Sequence, residues 1–230
     1  MTKIILLPNL LSEDLSEDLF FPKTVGENVR KLDAFIAESR KNAIRYLLRF
    51  LNKEKANALP IFLLNEHSTD QDLKEMLQEL LRFNFIGLIS DQGLPCIADP
   101  GAKIVELAYR NNIIVDAISG PSSVFLALML SGIPSQKFCF QGYLPKNEGD
   151  LKKTLKKMES ETYKEDMTQV FIETPYRSDK LLKILISNLR PETKLSVAVD
   201  LTLPTQKIFS FKVAVWRKKT IFIGKKPAVF

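Results

Sequence analysis

Apolar and polar positions alternate in short blocks along the first half of the chain. Five compact apolar runs predict buried β-strands at 4–7, 34–37, 60–64, 85–89 and 113–115. Between them, apolar residues recur at helical spacing within 43–51, 73–81 and 104–108. Ser68 and Gln71 have the spacing of a capping box at the start of the second of these helices. Strands that alternate with helices predict an α/β domain with a mainly parallel sheet and helices on both faces.

The pattern changes after residue 118. Helices are predicted over 121–131, from about 149, and over 176–189, and strands at 138–144, 169–172, 195–199, 208–215 and 220–223. Because the last strands follow one another closely, the expected sheet is mixed and belongs to an α+β domain. We therefore predict an N-terminal domain over 1–118 and a C-terminal domain over 119–230. A tandem SEDL repeat within 10–19 is predicted to form an exposed loop or a short helix.

Composition places the chain among ordinary globular proteins. Of its 230 residues, 45% are hydrophobic and 26% are charged, which excludes disorder and coiled coil. No apolar stretch approaches the ~18 residues of a membrane span, and the run at 4–7 is too short for a signal peptide. Cys96, Cys139 and the single histidine, His67, do not suffice for an ordinary zinc site. They favour a reducing, cytoplasmic setting.

The net charge of +6 leaves two interpretations open. The 33 Lys and Arg residues outnumber 27 Asp and Glu residues, which suits either RNA phosphate contacts or a mildly basic protein without nucleic acid. Acidic residues are interleaved in the cluster over 146–157, so a solvated helix face explains that cluster at least as well. The three clusters are Lys146, Lys152, Lys153, Lys156 and Lys157; Arg217, Lys218, Lys219, Lys225 and Lys226; and Arg40, Lys41, Arg45 and Arg49.

Several common catalytic and nucleotide-binding motifs are absent. The sequence has no GxxxxGK[ST] loop and no GxSxG, and Pro8-Asn9-Leu10-Leu11 replaces a GxGxxG after the first strand. These absences argue against a P-loop protein, a Rossmann nucleotide-binding domain and a serine hydrolase.

The most informative segment is 90–101, which follows a predicted strand directly. Gly93 allows the backbone to approach a ligand closely, and Asp99 with Pro100 predicts a helix start with Asp99 as the N-cap. Considered alone, Asp99-Pro100-Gly101 also fits a capped strand-to-helix turn that binds nothing.

Three ordered motifs carry a family resemblance over nearly the full chain. Ser90-Asp91-x-Gly93-x-Pro95-x-x-x-Asp99-Pro100-Gly101, Gly120-Pro121-Ser122-Ser123 and Gly142-Tyr143-Leu144-Pro145 resemble those of the tetrapyrrole methylase superfamily of S-adenosylmethionine (SAM) dependent methyltransferases. Within it, the chain resembles a short subgroup of the ribosomal small-subunit methyltransferase I branch. The segments 35–40, 65–67 and 171–177 also fit that branch. The glycine usual after the first strand is missing, and Val199-Asp200 stands where Arg-Glu is usual.

The resemblance implies methylation of a cytidine ribose 2′-hydroxyl in 16S rRNA by a two-domain homodimer, with SAM in the cleft between the domains. Two other functions stay open: a methyltransferase for a small molecule such as a tetrapyrrole, and a non-catalytic RNA-binding relative. The implied substrate contacts are Lys146, Tyr176 and Arg177. The implied SAM contacts are Pro8, Gly93, Leu94, Ile97, Ser122, Ser123, Glu173, Asp200, Leu201 and Thr202.

A ribose hydroxyl is a weak nucleophile, so a general base is expected. Asp91 is the first candidate by its place in the loop, although its carboxylate could instead bind loop amides. Asp200 is the second candidate. His67 is a third candidate, although a lone histidine at a helix start is more often a surface or capping residue. Cys96 is interpreted as a small apolar side chain without a reactive thiolate. Glu173 is expected to orient ligand or loop.

Overall fold

The computed structural model describes residues 1–12 and 20–230. The prediction made for the SEDL repeat lies largely outside the described residues. The chain forms two compact units, Met1–Ser122 and Ser123–Phe230. The boundary predicted after residue 118 is four residues earlier than the one observed after Ser122. The difference arises because Gly120 packs against Pro8 and therefore belongs to the first unit. In the described part of the chain, no helix is long and apolar enough to cross a bilayer.

The first unit contains a five-stranded, fully parallel sheet. Its strands are β1 (Lys3–Leu6), β2 (Ala34–Ala37), β3 (Ile61–Leu63), β4 (Phe85–Leu88) and β5 (Ile114–Ala117). Their order in the sheet is β3-β2-β4-β1-β5, so β1 lies between β4 and β5. All five strands lie at the predicted apolar runs, and the prediction of a parallel sheet is confirmed.

Among the residues described in this unit, five helices cover both faces of the sheet. They are α1 (Lys23–Val29), α2 (Arg40–Leu47), α3 (Lys53–Ala58), α4 (Asp70–Leu80) and α5 (Gly101–Arg110). Side chains alternate along each strand, so Ile4 and Ile36 pack with α4 and α5, whereas Ile5 and Phe35 pack with the first three helices. The predicted two-sided arrangement is therefore confirmed.

Three local predictions in this unit were wrong in detail. The single helix expected over 43–51 ends at Leu47, and α1 and α3 were not predicted. The capping box of α4 uses Thr69 and Asp72, one residue later than expected. Helix α5 begins at Gly101 with Pro100 as its N-cap, while the Asp99 carboxylate accepts the Gly101 N–H at 2.7 Å.

The second unit contains a mixed five-stranded sheet, as predicted. Its strands are β6 (Phe138–Tyr143), β7 (Thr168–Glu173), β8 (Lys194–Val199), β9 (Lys207–Lys212) and β10 (Ala228–Val229), in the order β6-β7-β10-β8-β9. β6 and β7 are parallel, and the other pairs are antiparallel. The helices are α6 (Ser123–Ser131), α7 (Glu148–Glu165), α8 (Ser178–Asn188) and α9 (Val213–Trp216).

Two strand predictions near the C-terminus were wrong. The strand expected over 208–215 ends at Lys212, because Val213 and Trp216, at helical spacing, both turn into the core as α9. The segment 220–223 is not a strand. Instead, the backbone N–H groups of Ile223 and Gly224 donate to the Asp179 carboxylate at 2.7 and 3.1 Å.

Candidate functional site

The loops that follow β1, β4 and β5 meet at one edge of the first unit. Parallel strands place their carboxyl ends at the same edge, and β4, β1 and β5 are direct neighbours. The Asn9 N–H donates to the Gly93 carbonyl at 2.7 Å, and the Gly93 N–H donates to the Leu10 carbonyl at 3.4 Å. The loop after β1 and the loop over 90–101 therefore form a single hydrogen-bonded surface.

Asn9 ties these two loops together and was not predicted as a site residue. Its Nδ2 donates to the carbonyls of Ser90 and Asp91 at 3.0 and 2.9 Å, and its Oδ1 accepts the Leu10 N–H at 2.8 Å. The sequence did contain a signal, since Asn9 directly follows Pro8 just after the first apolar run. Asparagine in such a position commonly forms a turn through its side chain.

Two glycines bring the loop after β5 to the same edge. A Cβ added to Gly120 would lie 2.0 Å from the Pro8 Cβ, so only glycine permits this contact. Gly93 has φ +70°, and a Cβ there would lie 3.6 Å from the Pro121 carbonyl oxygen. Pro8, Gly93 and the residue before Ser122 are thus brought together.

Predicted SAM contacts in this unit differ in accessibility. Pro8 is buried against Gly120 and Leu94 is partly buried, whereas 46% of Ile97 is exposed. Ile97 is therefore an accessible apolar side chain of the 90–101 loop. Pro8 is not accessible, because it packs against Gly120.

The backbone of the 90–101 loop is locally strained. Cys96 and Ala98 have φ values of +69° and +59°, a region that non-glycine residues rarely adopt. The Asp99 carboxylate accepts the Gly101 N–H at 2.7 Å, which helps to hold this shape. Such strain concentrates at binding sites because surrounding contacts must maintain it.

Burial sets the protonation of two side chains in this loop. Burial raises the pKa of the Asp99 carboxyl, although the nearby backbone N–H groups of Gly101, Cys96 and Ile97 lower it. Burial, followed by the charge of Asp99, raises the pKa of the Cys96 thiol to about 12. Cys96 therefore stays a thiol at neutral pH and packs against the apolar core. This packing supports the interpretation of Cys96 as a small apolar side chain.

Glu38 is a second side chain that sequence reasoning did not select for the site. It directly follows β2, and its Oε1 accepts the Asp91 N–H at 2.9 Å. Burial raises the pKa of Glu38, and the negative charges of Asp91, Asp99 and Glu66 add to that rise, while the bond from Asp91 lowers it. The sequence signal that could have identified Glu38 is its position as an acidic residue directly after a predicted buried strand.

The three candidate bases have different surroundings. Asp91 is exposed, and no described residue donates a hydrogen bond to its carboxylate, so the alternative role of binding loop amides is wrong for Asp91. The Asp200 carboxylate is engaged, because it accepts from Thr205 Oγ1 at 2.7 Å and pairs with Lys226. His67 has an 86% exposed side chain, 3.7 Å from Glu66, as expected for a surface residue.

In the second unit, Glu173 organises the turn after β7. It is 4% exposed, its Oε1 accepts the Thr174 N–H at 2.7 Å, and its Oε2 lies 3.1 Å from Arg177 Nη2. The turn presents Tyr176, which is 82% exposed.

The segment after β8 contains the other predicted contacts of this unit. Asp200 and Thr202 have φ values of +51° and +74°, and Leu201 is buried. The Thr202 N–H donates to Gln206 Oε1 at 3.0 Å. Like 90–101, this segment is held in a left-handed conformation that its neighbours must maintain.

Many residues of the basic clusters form ion pairs or hydrogen bonds with other residues of the chain. On α7, Lys152, Lys153 and Lys157 pair with acidic residues one helical turn away, which favours a solvated helix face. Arg217 donates to the carbonyls of Ile186 and Leu189. Lys146 is exposed next to the start of α7.

Comparison with known proteins identifies relatives. A family model described as Tetrapyrrole (Corrin/Porphyrin) Methylases matches residues 29–215. The protein named Ribosomal RNA small subunit methyltransferase I of Thermotoga maritima is 32% identical over 203 residues, which covers 87% of this chain and 85% of that protein. Proteins of the same name from Buchnera aphidicola and Escherichia coli O157:H7 are 30% and 31% identical and match 72% and 62% of this chain. The chain spans about half the length of those two, 56% and 48%.

Solved structures share the fold at low identity. The methyltransferase CobJ superposes with a TM-score of 0.63 at 16% identity, covering 99% of this chain and 92% of that one. Diphthine synthase also gives 0.63, at 13% identity, covering 100% and 89%. The family model and the relatives agree with the resemblance carried by the three motifs. The chain therefore belongs to the tetrapyrrole methylase family of SAM-dependent methyltransferases, within its ribosomal small-subunit methyltransferase I branch.

Proposed function

We propose that this protein transfers the methyl group of SAM to the 2′-hydroxyl of a cytidine in small-subunit rRNA. The observation that carries the proposal is the meeting of the loops after β1, β4 and β5, in a chain 32% identical to a relative named for rRNA methylation. The small-molecule alternative rests on the superfamily and on departures such as Val199-Asp200. The solved structures at 16% identity or less share only the fold and add nothing to it.

The first unit offers groups suited to SAM. The close backbone approach that Gly93 allows and the small side chain of Ser122 suit a zwitterionic ligand, while Leu94 and the exposed Ile97 suit an adenine ring. Bound SAM would supply an activated methyl on its sulfonium, so the chain mainly supplies position.

The second unit is proposed to add Ser123, Glu173 and the segment 200–202. The carboxylates of Glu173 and Asp200 are already paired with Arg177 and Lys226. We therefore assign them the role of shaping this part of the cofactor site, and the backbone of Leu201 and Thr202 the role of contacting SAM.

Asp91 is proposed as the general base. Its backbone is held by Glu38 and Asn9, while its carboxylate remains exposed. In the reaction, the methyl–sulfur bond breaks as the methyl–oxygen bond forms, and Asp91 accepts the hydroxyl proton. The RNA substrate is proposed to contact Lys146, Tyr176 and Arg177.

We also propose a homodimer that acts in the cytoplasm, where ribosomal subunits occur. Helix α6 is apolar along its whole length and leaves Phe125, Met129 and Leu130 exposed by 51%, 76% and 41%. Apolar surface of this kind typically marks a protein interface. Sedimentation of the wild type and of Met129→Asp tests this: a dimer that the substitution dissociates supports it, and a wild-type monomer contradicts it.

Methyl transfer is tested with radiolabelled SAM and 30S subunits from a strain that lacks this modification. We expect label in 16S rRNA, and none with subunits from the parent strain, whose target is already methylated. Calorimetry with SAM is the parallel measurement. SAM binding without label in 16S rRNA would contradict the substrate, and absence of SAM binding would contradict the enzyme.

A further inference from the structure

Tyr176 is a large aromatic side chain that the fold leaves in solvent. It lies in the turn between β7 and α8 and is 82% exposed, more than any other tyrosine or phenylalanine in the described chain. Aromatic side chains contribute most to stability when buried, so packing does not explain this residue.

A cation accompanies the ring. Lys225 Nζ lies 5.8 Å from the Tyr176 ring centroid, within cation–π distance. Among the described residues, Lys225 has no ion pair, whereas the neighbouring Lys226 is paired with Asp200. The Lys225 ammonium, which forms no ion pair with any residue that the structure describes, therefore lies beside an exposed aromatic ring.

The turn that carries Tyr176 is held on both sides. Glu173 Oε1 accepts the Thr174 N–H, and its Oε2 faces Arg177, so the residues flanking Tyr176 are fixed to one buried carboxylate. The Arg177 N–H also donates to the Thr174 carbonyl at 2.9 Å. Because the backbone of this turn is already held, it loses little conformational entropy when Tyr176 binds a ligand.

We propose that Tyr176, with Lys225 beside it, stacks on an unpaired base of the RNA substrate while Lys225 contacts an adjacent phosphate. This inference rests on the proposed rRNA methylation and specifies how the substrate is held. Aromatic side chains next to cations are the common means of holding single-stranded RNA, because every base offers a flat face and every linkage offers a charge.

The test compares binding of an oligocytidylate of about eight nucleotides with that of the same backbone lacking its bases. Wild-type protein is expected to prefer the base-containing strand roughly 10-fold, and Tyr176→Ala is expected to remove that preference. Tyr176→Phe should retain it. Tyr109→Ala, a substitution of a tyrosine 63% exposed on α5, is the matched control. Lys225→Ala should weaken both strands, with a smaller effect at about 200 mM salt than at about 50 mM.

Methylation of 30S subunits by the same variants separates the two proposals. Normal methylation and unchanged base preference in Tyr176→Ala would overturn the stacking role and leave rRNA methylation standing. No methylation by the wild type would overturn the proposed function, whatever the oligonucleotides show. Loss of base preference and a raised KM for 30S subunits in Tyr176→Ala, with Tyr176→Phe intact, would support both.

Discussion

The backbone N–H of Asp91 donates a 2.9 Å hydrogen bond to Glu38 Oε1, across 53 residues of sequence. The carbonyl of the same residue accepts from Asn9 at 2.9 Å. Asp91 is therefore fixed through its backbone by residues that follow β1 and β2, while its carboxylate stays exposed. The carboxylate of Asp91 is thus held in place and remains able to accept a proton, as a general base requires.

Asp91→Asn is expected to lower kcat for RNA methylation by about 10²- to 10⁴-fold, because the amide cannot accept the hydroxyl proton. The Kd for SAM, measured by calorimetry, should stay unchanged, since the hydrogen bonds of Asp91 run through its backbone. Asp70→Asn, which alters an exposed carboxylate in the first turn of α4, is the control. An Asp91→Asn enzyme with wild-type kcat would rule out this base.

Glu38→Ala should lower both the free energy of unfolding and kcat, because the Asp91 N–H loses its acceptor. Removing one partner of such a bond typically costs about 1–3 kcal/mol, which chemical denaturation can measure. Glu38→Gln retains an oxygen at this position and should recover most of both losses. Equal damage by the two substitutions would show that the hydrogen bond is not the reason Glu38 matters.

The raised pKa of Glu38 predicts a pH-dependent contribution to stability. A carboxyl whose folded pKa is raised binds its proton more tightly in the folded state, so its contribution is fully present below the unfolded value near 4.5. That contribution is lost as pH rises through the folded pKa. Burial is the main cause of the raised pKa of Glu38, and the facing carboxylates of Asp91, Asp99 and Glu66 raise it further.

Comparing the free energy of unfolding of wild type and Glu38→Gln over this pH window isolates the effect. The wild type should lose stability relative to the variant as pH rises from about 4.5. A relative gain of the wild type over the same window would contradict the raised pKa.

Much of the fold was predictable because its signals are local. Each parallel strand of the first unit is a compact apolar run, and the 90–101 loop combines glycine, proline and an aspartate next to a helix start within twelve residues. The tie between Glu38 and Asp91 was not predictable, because it depends on β2 and β4 being neighbours in the sheet. Similarly, α9 forms where Val213 and Trp216 reach the core, and a strand pattern alone does not reveal this.

Gly120→Ala is expected to lower stability by about 1–3 kcal/mol and to weaken SAM binding, because the added Cβ must displace Pro8 from a 2.0 Å overlap. Thermal unfolding and calorimetry measure the two effects. Gly149→Ala, in the first turn of α7, meets only Asn147 Oδ1 at 3.2 Å and should be nearly neutral. Unchanged SAM affinity in Gly120→Ala would show that the contact between Gly120 and Pro8 does not shape the SAM site.

Ala98→Gly should leave stability unchanged or raise it by up to about 1 kcal/mol, because glycine adopts φ +59° without steric cost. The same change at Ala102, within α5, should lower stability by up to about 1 kcal/mol. Chemical denaturation of both variants measures the difference. A larger loss at 98 than at 102 would mean that the left-handed backbone is not strained.

The most direct test of rRNA methylation is mass spectrometry of nucleosides from 16S rRNA of modification-deficient 30S subunits, after incubation with this protein and SAM. We expect one new product, 2′-O-methylcytidine, absent when Asp91→Asn replaces the wild type over the same time. A methyl group on a base, or SAM binding with no methylated nucleoside, would contradict it.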